Sequence, residues 1–145
     1  CDMQIQFKKI REDVPTPQYQ TSGSAAFDFH IIEDVEIPAR GIEKIPTGLV
    51  IKAPDNHALI IASRSSSPIK KGVTVAQGIG IVDSDYSGPE DEIFILLQNV
   101  RDEIITLKKG DRVAQGMFMQ VTQGAFHEVK EMTDGNRGGH GSTGT

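Results

Sequence analysis

Residues 43–62 read Glu-Lys-Ile-Pro-Thr-Gly-Leu-Val-Ile-Lys-Ala-Pro-Asp-Asn-His-Ala-Leu-Ile-Ile-Ala. Two short apolar stretches, Glu43–Ile51 and His57–Ala62, flank Ala53-Pro54-Asp55-Asn56, a cluster of turn-forming residue types. Neither stretch carries its apolar residues at helical spacing, so both are expected as strands joined by a turn. The same grammar runs outward in both directions. Upstream lie Met3–Phe7, Ala25–Ile32 and Val35–Ile37. Downstream come Val73–Ala76, Ile79–Val82, Glu92–Asn99, Ile104–Leu107, Arg112–Val121 and Phe126–Glu131. Pro38-Ala39-Arg40-Gly41, Ser87-Gly88-Pro89 and Lys108-Lys109-Gly110-Asp111 supply further punctuation. About eleven short strands with turns this frequent predict an all-β fold, a jelly-roll-like antiparallel sandwich, and not βαβ units. One short helical turn is expected, with Ser67 as N-cap, Pro68 at the first helical position and Gly72 as the stop.

At 145 residues, 37% hydrophobic and 24% charged, the chain has the composition of one globular domain. Fifteen Lys+Arg against twenty Asp+Glu give a net charge of -5, which argues against non-specific binding to nucleic acid or an anionic membrane. No apolar run approaches the length of a membrane span, and Cys1-Asp2-Met3-Gln4 does not read as a signal peptide. The single cysteine, Cys1, excludes an intramolecular disulfide and a cysteine-based zinc cluster. It reads as a terminal remnant and not as a catalytic thiol. A reduced, cytoplasmic setting is expected.

Residues 133–145 hold five of the fifteen glycines and no aliphatic or aromatic side chain. They cannot join a core, so a β core over residues 1–132 and a flexible Gly-rich arm over 133–145 are expected. The extended arm would reach roughly 40 Å, against a radius of gyration near 15 Å for a domain of this size. It can therefore cross its own subunit or lie on a neighbour. Arg137, Ser142 and Thr143 are phosphate-contacting types set among glycines that expose backbone N–H groups.

Four other clusters carry chemistry-bearing residues. Ser63-Arg64-Ser65-Ser66-Ser67 follows an apolar strand and offers a guanidinium, hydroxyls and a helix start, a set able to cradle phosphate oxygens. Taken alone, it is also an ordinary polar turn. Ile79-Gly80-Ile81-Val82 runs into Asp83-Ser84-Asp85-Tyr86. A carboxylate at a strand end beside a pocket can act as general base for water, and the same residues also suit a hairpin turn. Gly110-Asp111-Arg112-Val113-Ala114-Gln115 reads as a turn leading into a strand. Asp28 lies between Phe27 and Phe29, and an acid so placed is either solvent-facing or held by a specific partner.

Singly these signals are weak, but their order along the chain resembles the trimeric all-β dUTPase (dUTP diphosphatase) family. Ala25-Ala26-Phe27-Asp28-Phe29 is similar to its first motif and Ser63-Arg64-Ser65-Ser66-Ser67 to its second. Gly80-Ile81-Val82-Asp83-Ser84-Asp85-Tyr86-Ser87-Gly88 resembles the third, residues 110–116 the fourth and residues 137–144 the fifth. Thr47-Gly48-Leu49 also stands where the family commonly has such a triplet. The resemblance implies Mg²⁺-assisted hydrolysis of dUTP to dUMP and pyrophosphate, limiting uracil in DNA and supplying dUMP for thymidylate synthesis, by a homotrimer with shared sites. Nucleic acid and membranes would not be partners.

Residue by residue, the resemblance implies Asp83 as the base that activates water against the α-phosphorus. Tyr86 would pack under the deoxyribose, and a hairpin from about Val75 to Val82, with Gln77 and Gly80, would read uracil. Ser65, Ser66 and Gln115 would contact phosphates, with Arg64 placing the loop. Asp28 would hold a water of an Mg²⁺ chelated mainly by the triphosphate. Arg137 would lie near the terminal phosphate, His140 would stack on uracil, and Gly141, Ser142 and Thr143 would line the phosphates as the arm closes. His140 stands where many members have Phe, Arg137 is one residue nearer the glycine pair than usual, and Gln77 replaces an Asn of some members. Gly88-Pro89-Glu90-Asp91-Glu92 is longer and more acidic than the usual turn, which is expected to alter a loop and not the chemistry.

Two rivals remain. A dCTP deaminase shares the Arg-Ser-Ser string but needs a glutamate within the strand that here reads Phe94-Ile95-Leu96-Leu97-Gln98-Asn99. A non-catalytic jelly-roll subunit would be expected to lack the base or the arm, and both are present in this sequence.

Overall fold

The computed structural model describes residues 3–139. Their eleven strands are β1 Gln6–Lys9, β2 Phe27–His30, β3 Val35–Ile37, β4 Ile42–Pro46, β5 Leu49–Lys52, β6 His57–Ala62, β7 Val73–Val75, β8 Gly80–Val82, β9 Phe94–Asn99, β10 Ile105–Leu107 and β11 Arg112–Gln120. Every pairing is antiparallel, in four small sheets ordered β1-β5, β10-β3, β2-β11-β6-β8 and β4-β9-β7. The fold is all-β, as the punctuation predicts. No described helix is long and apolar enough to cross a membrane.

Two-residue alternation builds the core. On β2 the rings of Phe27 and Phe29 turn inward while Asp28 and His30 lie on the other face. Ile37, Ile51, Leu59, Val73, Ile95 and Leu97 are all sealed from solvent and bring five different strands into one cluster. At Gly116 a Cβ would stand 2.9 Å from both Phe27 Cζ and Phe29 Cε2, so β11 approaches β2 this closely only without a side chain there.

The structure moves several expected boundaries. Glu43–Ile51 is two strands, because Thr47-Gly48 turns the chain and Gly48 sits at φ +70°. The N-terminal strand shifts from Met3–Phe7 to Gln6–Lys9, where β5 provides its ladder. Val75–Val82 turns with Gly78 N on Val75 O at 3.1 Å, but its two arms share no ladder: β7 pairs with β9, β8 pairs with β6, and residues 76–79 cross between sheets. Residues 126–131 form no strand. The β11–β6 ladder ends at Gln120↔His57, and every described residue beyond it is exposed, Phe126 completely. The strand framework thus ends at Gln120, well before the boundary expected at 132.

The helical turn is Ser67–Lys71, of π type. Its cap is Ser66 and not Ser67, and it makes no side-chain cap bond. Pro68 brings no N–H to be capped, and Lys70 N already donates to Ser66 O at 2.8 Å. Ser67 is instead 1% exposed, its hydroxyl without a hydrogen-bond partner among the described residues. Gly72 ends the turn in the left-handed conformation, with its N–H on Ser67 O, as expected.

Candidate active site

Strand β6 organises the site, because its two ends carry different chemistry. From its C-terminal end the chain continues into Ser63 and Arg64. The flanking strand β11 places Gln115 opposite Ala62 and, on its other side, opposite Asp28 of β2. Asp28, Arg64 and Gln115 are therefore brought together by register. Arg64 Nε lies 3.0 Å from Asp28 Oδ1, with side chains 25% and 12% exposed, and Arg112 Nη1 is 3.7 Å from Asp28 Oδ2. The acid between two phenylalanines is thus held by specific partners. Gln115 Nε2 donates to Ser63 O at 3.1 Å, and Ser63 Oγ accepts from Val75 N at 2.8 Å, which pins the start of the serine loop. Lys71 Nζ donates to Arg112 O at 2.8 Å, adding a third cation. A cavity of about 370 Å³ opens here, lined by Asp28, Arg64, Ser65 and Gln115 together with Ser24 and Gln20. Ser66 is half-buried beside it in sequence.

Two guanidiniums on one carboxylate, with Lys71 bonded to the Arg112 carbonyl, leave this end positive. His30 feels it: burial first, then the Arg112 guanidinium, hold its imidazole below the usual histidine range, against a smaller opposing pull from Asp28. An anion would find complementary charge here, with serine hydroxyls beside it.

The other end of β6 is acidic and open. Strand β8 runs antiparallel to β6 with Gly80↔Ile61 and Val82↔Leu59, so it delivers Asp83 beyond Leu59, toward the N-terminal end of β6. Asp83 and Asp85 are exposed, and Tyr86 N donates to Asp83 O at 3.1 Å to close a turn. Tyr86 Oη donates to Glu92 O at 2.7 Å, and the residue remains 40% exposed. Tyr86, Asp83, Ile81, Phe94 and Lys44 line a cavity of about 330 Å³, and Lys44 Nζ sits 4.3 Å from the centre of the Phe94 ring. Gly80 is buried and Gln77 exposed, with Gln77 Nε2 lying over Gly80 on the crossing loop.

Asp83 and Arg64 are thus separated along β6 by five to six residues, about 17–20 Å of strand. One chain brings together Asp28, Arg64, Ser65 and Gln115, and separately Asp83 and Tyr86, but not the two groups with each other. Arg137 lies in the exposed segment after Gln120. His140, Gly141, Ser142 and Thr143 lie outside the described residues, as does Cys1.

Among the described residues no group of three or more His, Cys, Asp or Glu side chains could hold a metal ion. The basic cavity offers one carboxylate, Asp28, with an arginine on each oxygen. Such a donor set does not cage a metal. With both oxygens paired, Asp28 fits an acceptor for water on a divalent cation whose other ligands come from outside the chain.

The sequence motifs contained Arg112 and Ser63 without showing their roles, and they passed over Lys71 and His30. Arg112 reaches Asp28 only through the β2–β11 register, which shifts between Arg112 and Ala114. No local signal in the sequence marks that irregularity.

A sequence profile of the dUTPase family matches residues 12–145. The deoxyuridine 5'-triphosphate nucleotidohydrolase of Nautilia profundicola is 40% identical over 144 residues, covering 98% of this chain and 99% of the relative. That of Wolinella succinogenes is 37% identical over 144 residues, covering 98% and 95%. Among solved structures, the dUTPase of Streptococcus mutans superposes with a TM-score of 0.77 at 31% identity, over 83% of this chain and 98% of its own. The Staphylococcus bacteriophage 80alpha dUTPase with dUpNHpp superposes at 0.86 over 98% of this chain and 99% of its own, and at 20% identity it speaks to the fold alone. With the profile spanning most of the chain and full-length relatives above a third identical, this protein belongs to the dUTPase family.

Proposed function

We propose that the chain hydrolyses dUTP to dUMP and pyrophosphate as a homotrimer. Each site would join the Asp83–Tyr86 face of one subunit to the Asp28–Arg64–Gln115 face of another. The observation that carries this reading is the separation of the two groups at opposite ends of β6. A head-to-tail ring lets one surface of each subunit complete the other surface of its neighbour.

In this arrangement the crossing loop at Gln77–Gly80 receives uracil, and the exposed face of Tyr86 packs against the deoxyribose, where a ribose 2′-hydroxyl would collide. The Asp83 carboxylate takes a proton from water as the water oxygen bonds to the α-phosphorus. The bond from that phosphorus to the bridging oxygen then breaks, and pyrophosphate leaves with the electron pair. Arg64, Arg112, Lys71, Ser65, Ser66 and Gln115 supply fixed positive charge and donors for the phosphates, so charge that develops on the leaving group meets groups already in place. Mg²⁺, carried in by the triphosphate, would supply further charge neutralisation. The tail from residue 133, with Arg137, His140, Gly141, Ser142 and Thr143, closes over the nucleotide and excludes bulk water. The same reading puts the enzyme in the cytoplasm, beside a soluble nucleotide substrate.

Incubating purified protein with dUTP, dCTP or UTP in magnesium, while following pyrophosphate and ammonia, tests the reading. Pyrophosphate from dUTP alone is expected. Ammonia from dCTP, or tight dUTP binding without turnover, would overturn it. The strand Phe94–Asn99 carries no acidic side chain, so deamination is not expected.

A further inference from the structure

Two features of the sequence play no part in the reaction just described: the triplet Thr47-Gly48-Leu49 and the lengthened stretch Gly88–Glu92. The structure joins them. Thr47 N and Thr47 Oγ1 both donate to Ile93 O, at 3.1 and 2.6 Å, and Ile93 N donates back to Leu49 O at 2.8 Å. Between these bonds, Gly48 N donates to Glu92 Oε2 at 3.0 Å. Thr47 is 3% exposed and Gly48 is buried, so these donors would be costly to leave unmade. Gly48 holds φ +70°, and a Cβ there would stand 2.5 Å from Val14 Cγ2. Only glycine turns the chain there to present that amide to Glu92.

The lengthened stretch is also tied at its start. Asp91 Oδ2 accepts from Gly88 N at 2.8 Å, and Asp91 N donates to Gly88 O at 3.0 Å. Glu92 therefore sits between two anchored points, with its carboxylate on the triplet and its backbone carbonyl receiving the Tyr86 phenol at 2.7 Å. Tyr86 is in turn bonded through its N–H to the carbonyl of Asp83. The added residues do more than lengthen a loop: they set a fixed acceptor behind the ring that faces the sugar.

We infer that Glu92 is a positioning residue. Docked on the Gly48 amide, it fixes the carbonyl that holds Tyr86, and thereby sets how strongly the site rejects UTP in favour of dUTP. The inference rests on the function proposed above. A ring excludes a 2′-hydroxyl only if it does not yield, and an exposed tyrosine on a turn yields unless its far end is tethered. The side chain supplies the tether's anchor, and the phenol hydrogen bond transmits it.

The test compares Tyr86→Phe, Glu92→Ala, Glu92→Gln and the double variant Tyr86→Phe/Glu92→Ala, measuring kcat and KM for dUTP and UTP. A hydrogen bond of ordinary net strength corresponds to roughly a two- to tenfold effect. Tyr86→Phe and Glu92→Ala are each expected to lower the dUTP:UTP ratio of kcat/KM by about that factor, mainly through faster UTP turnover. Glu92→Gln should keep the parent ratio, since its amide oxygen still accepts from Gly48. The double variant should discriminate no worse than Tyr86→Phe. A Tyr86→Phe enzyme as selective as the parent would overturn the inference, and so would losses that multiply in the double variant. Should Glu92→Ala fail to fold by circular dichroism, Glu92→Leu, which keeps bulk but has no acceptor for the Gly48 amide, is expected to show the same loss, and an unchanged ratio in it would overturn the inference. A parent that leaves dUTP intact removes the proposed function and the inference with it, whereas an active parent with variants of unchanged ratio removes only the inference.

Discussion

At one end of β6, Asp28 is already clasped by Arg64 and Arg112, and Gln115 and Ser63 are hydrogen-bonded before any ligand arrives. At the other, Asp83 and Asp85 stand exposed, and the Tyr86 ring offers an open face. Cations crowded together repel one another, so the basic end must be held by a carboxylate and by strand register to exist at all. A carboxylate proposed to activate water needs the opposite treatment, and Asp83 stands exposed at a strand end. On the function proposed here, the difference teaches how a protein of net charge -5 would receive a triphosphate: positive charge is concentrated and braced at one place, away from the Asp83 carboxylate proposed as the base.

The sharpest way to break the comparison is to silence each end separately. Asp83→Asn should lower kcat by about a thousandfold or more, the upper range for a general base, while a non-hydrolysable dUTP analogue still binds. Arg64→Ala should also be nearly inactive. If the two ends act together only across subunits, unfolding an equal mixture of these two variants and refolding it restores turnover. In a head-to-tail ring, about one quarter of the sites combine an intact Asp83 with an intact Arg64, the product of two one-half chances. Pyrophosphate release from the mixture at about a quarter of the parent rate is expected. No recovery would mean that each chain serves itself.

The tail gives the next largest effect. Removing residues 134–145 should lower kcat by about a hundredfold, the scale of losing one or more preorganised donors, with the thermal midpoint unchanged. The readout is the ratio of kcat values beside a melting curve, and an unaffected rate would sever the tail from both ends of β6.

Much of this molecule was legible in its residues, for reasons that differ by level. Alternation within β6, β9 and β11 is local, and Pro and Gly mark the turns, so the all-β class follows directly from the sequence. Pairing is not local. Nothing near Val75 or Gly80 says that β7 joins β9 while β8 joins β6, and so a hairpin was the natural expectation. Residues 126–131 have strand-like composition, but a strand exists only where a ladder receives it, and no described ladder does. The site divides in the same way. Asp28, Arg64, Gln115, Asp83 and Tyr86 were each readable as chemistry-bearing types. Arg112, Lys71 and Glu92 were not, because their meaning is a distance to a residue far away in sequence.

Bracing at the basic end can be tested without turnover. Asp28→Asn removes the charge partner of Arg64 in a largely shielded pair, and about 2 kcal/mol of stability should be lost, read from the denaturant midpoint at constant slope. A loss near zero would mean that register alone holds the cations together. The corresponding change at the other end, Asp85→Asn, touches an exposed side chain and should shift the midpoint little.

The smallest effect reads the same field through His30. Burial and Arg112 hold its folded pKa down, with Arg64 and Lys71 adding to the repulsion and Asp28 opposing it. Above the ordinary histidine range, near pH 6.5, both folded and unfolded chains carry neutral His30, and the group does not affect the balance. As pH falls below that value the unfolded chain accepts a proton that the folded one resists, so stability declines. The decline continues until the depressed folded pKa is reached, where both states are protonated. Between pH 7.5 and 5.5 the parent's denaturant midpoint should therefore drop, and His30→Gln should drop less, because glutamine takes up no proton in either state. Equal slopes in the two proteins would mean that neither burial on β2 nor the cations around Asp28 hold the His30 imidazole neutral.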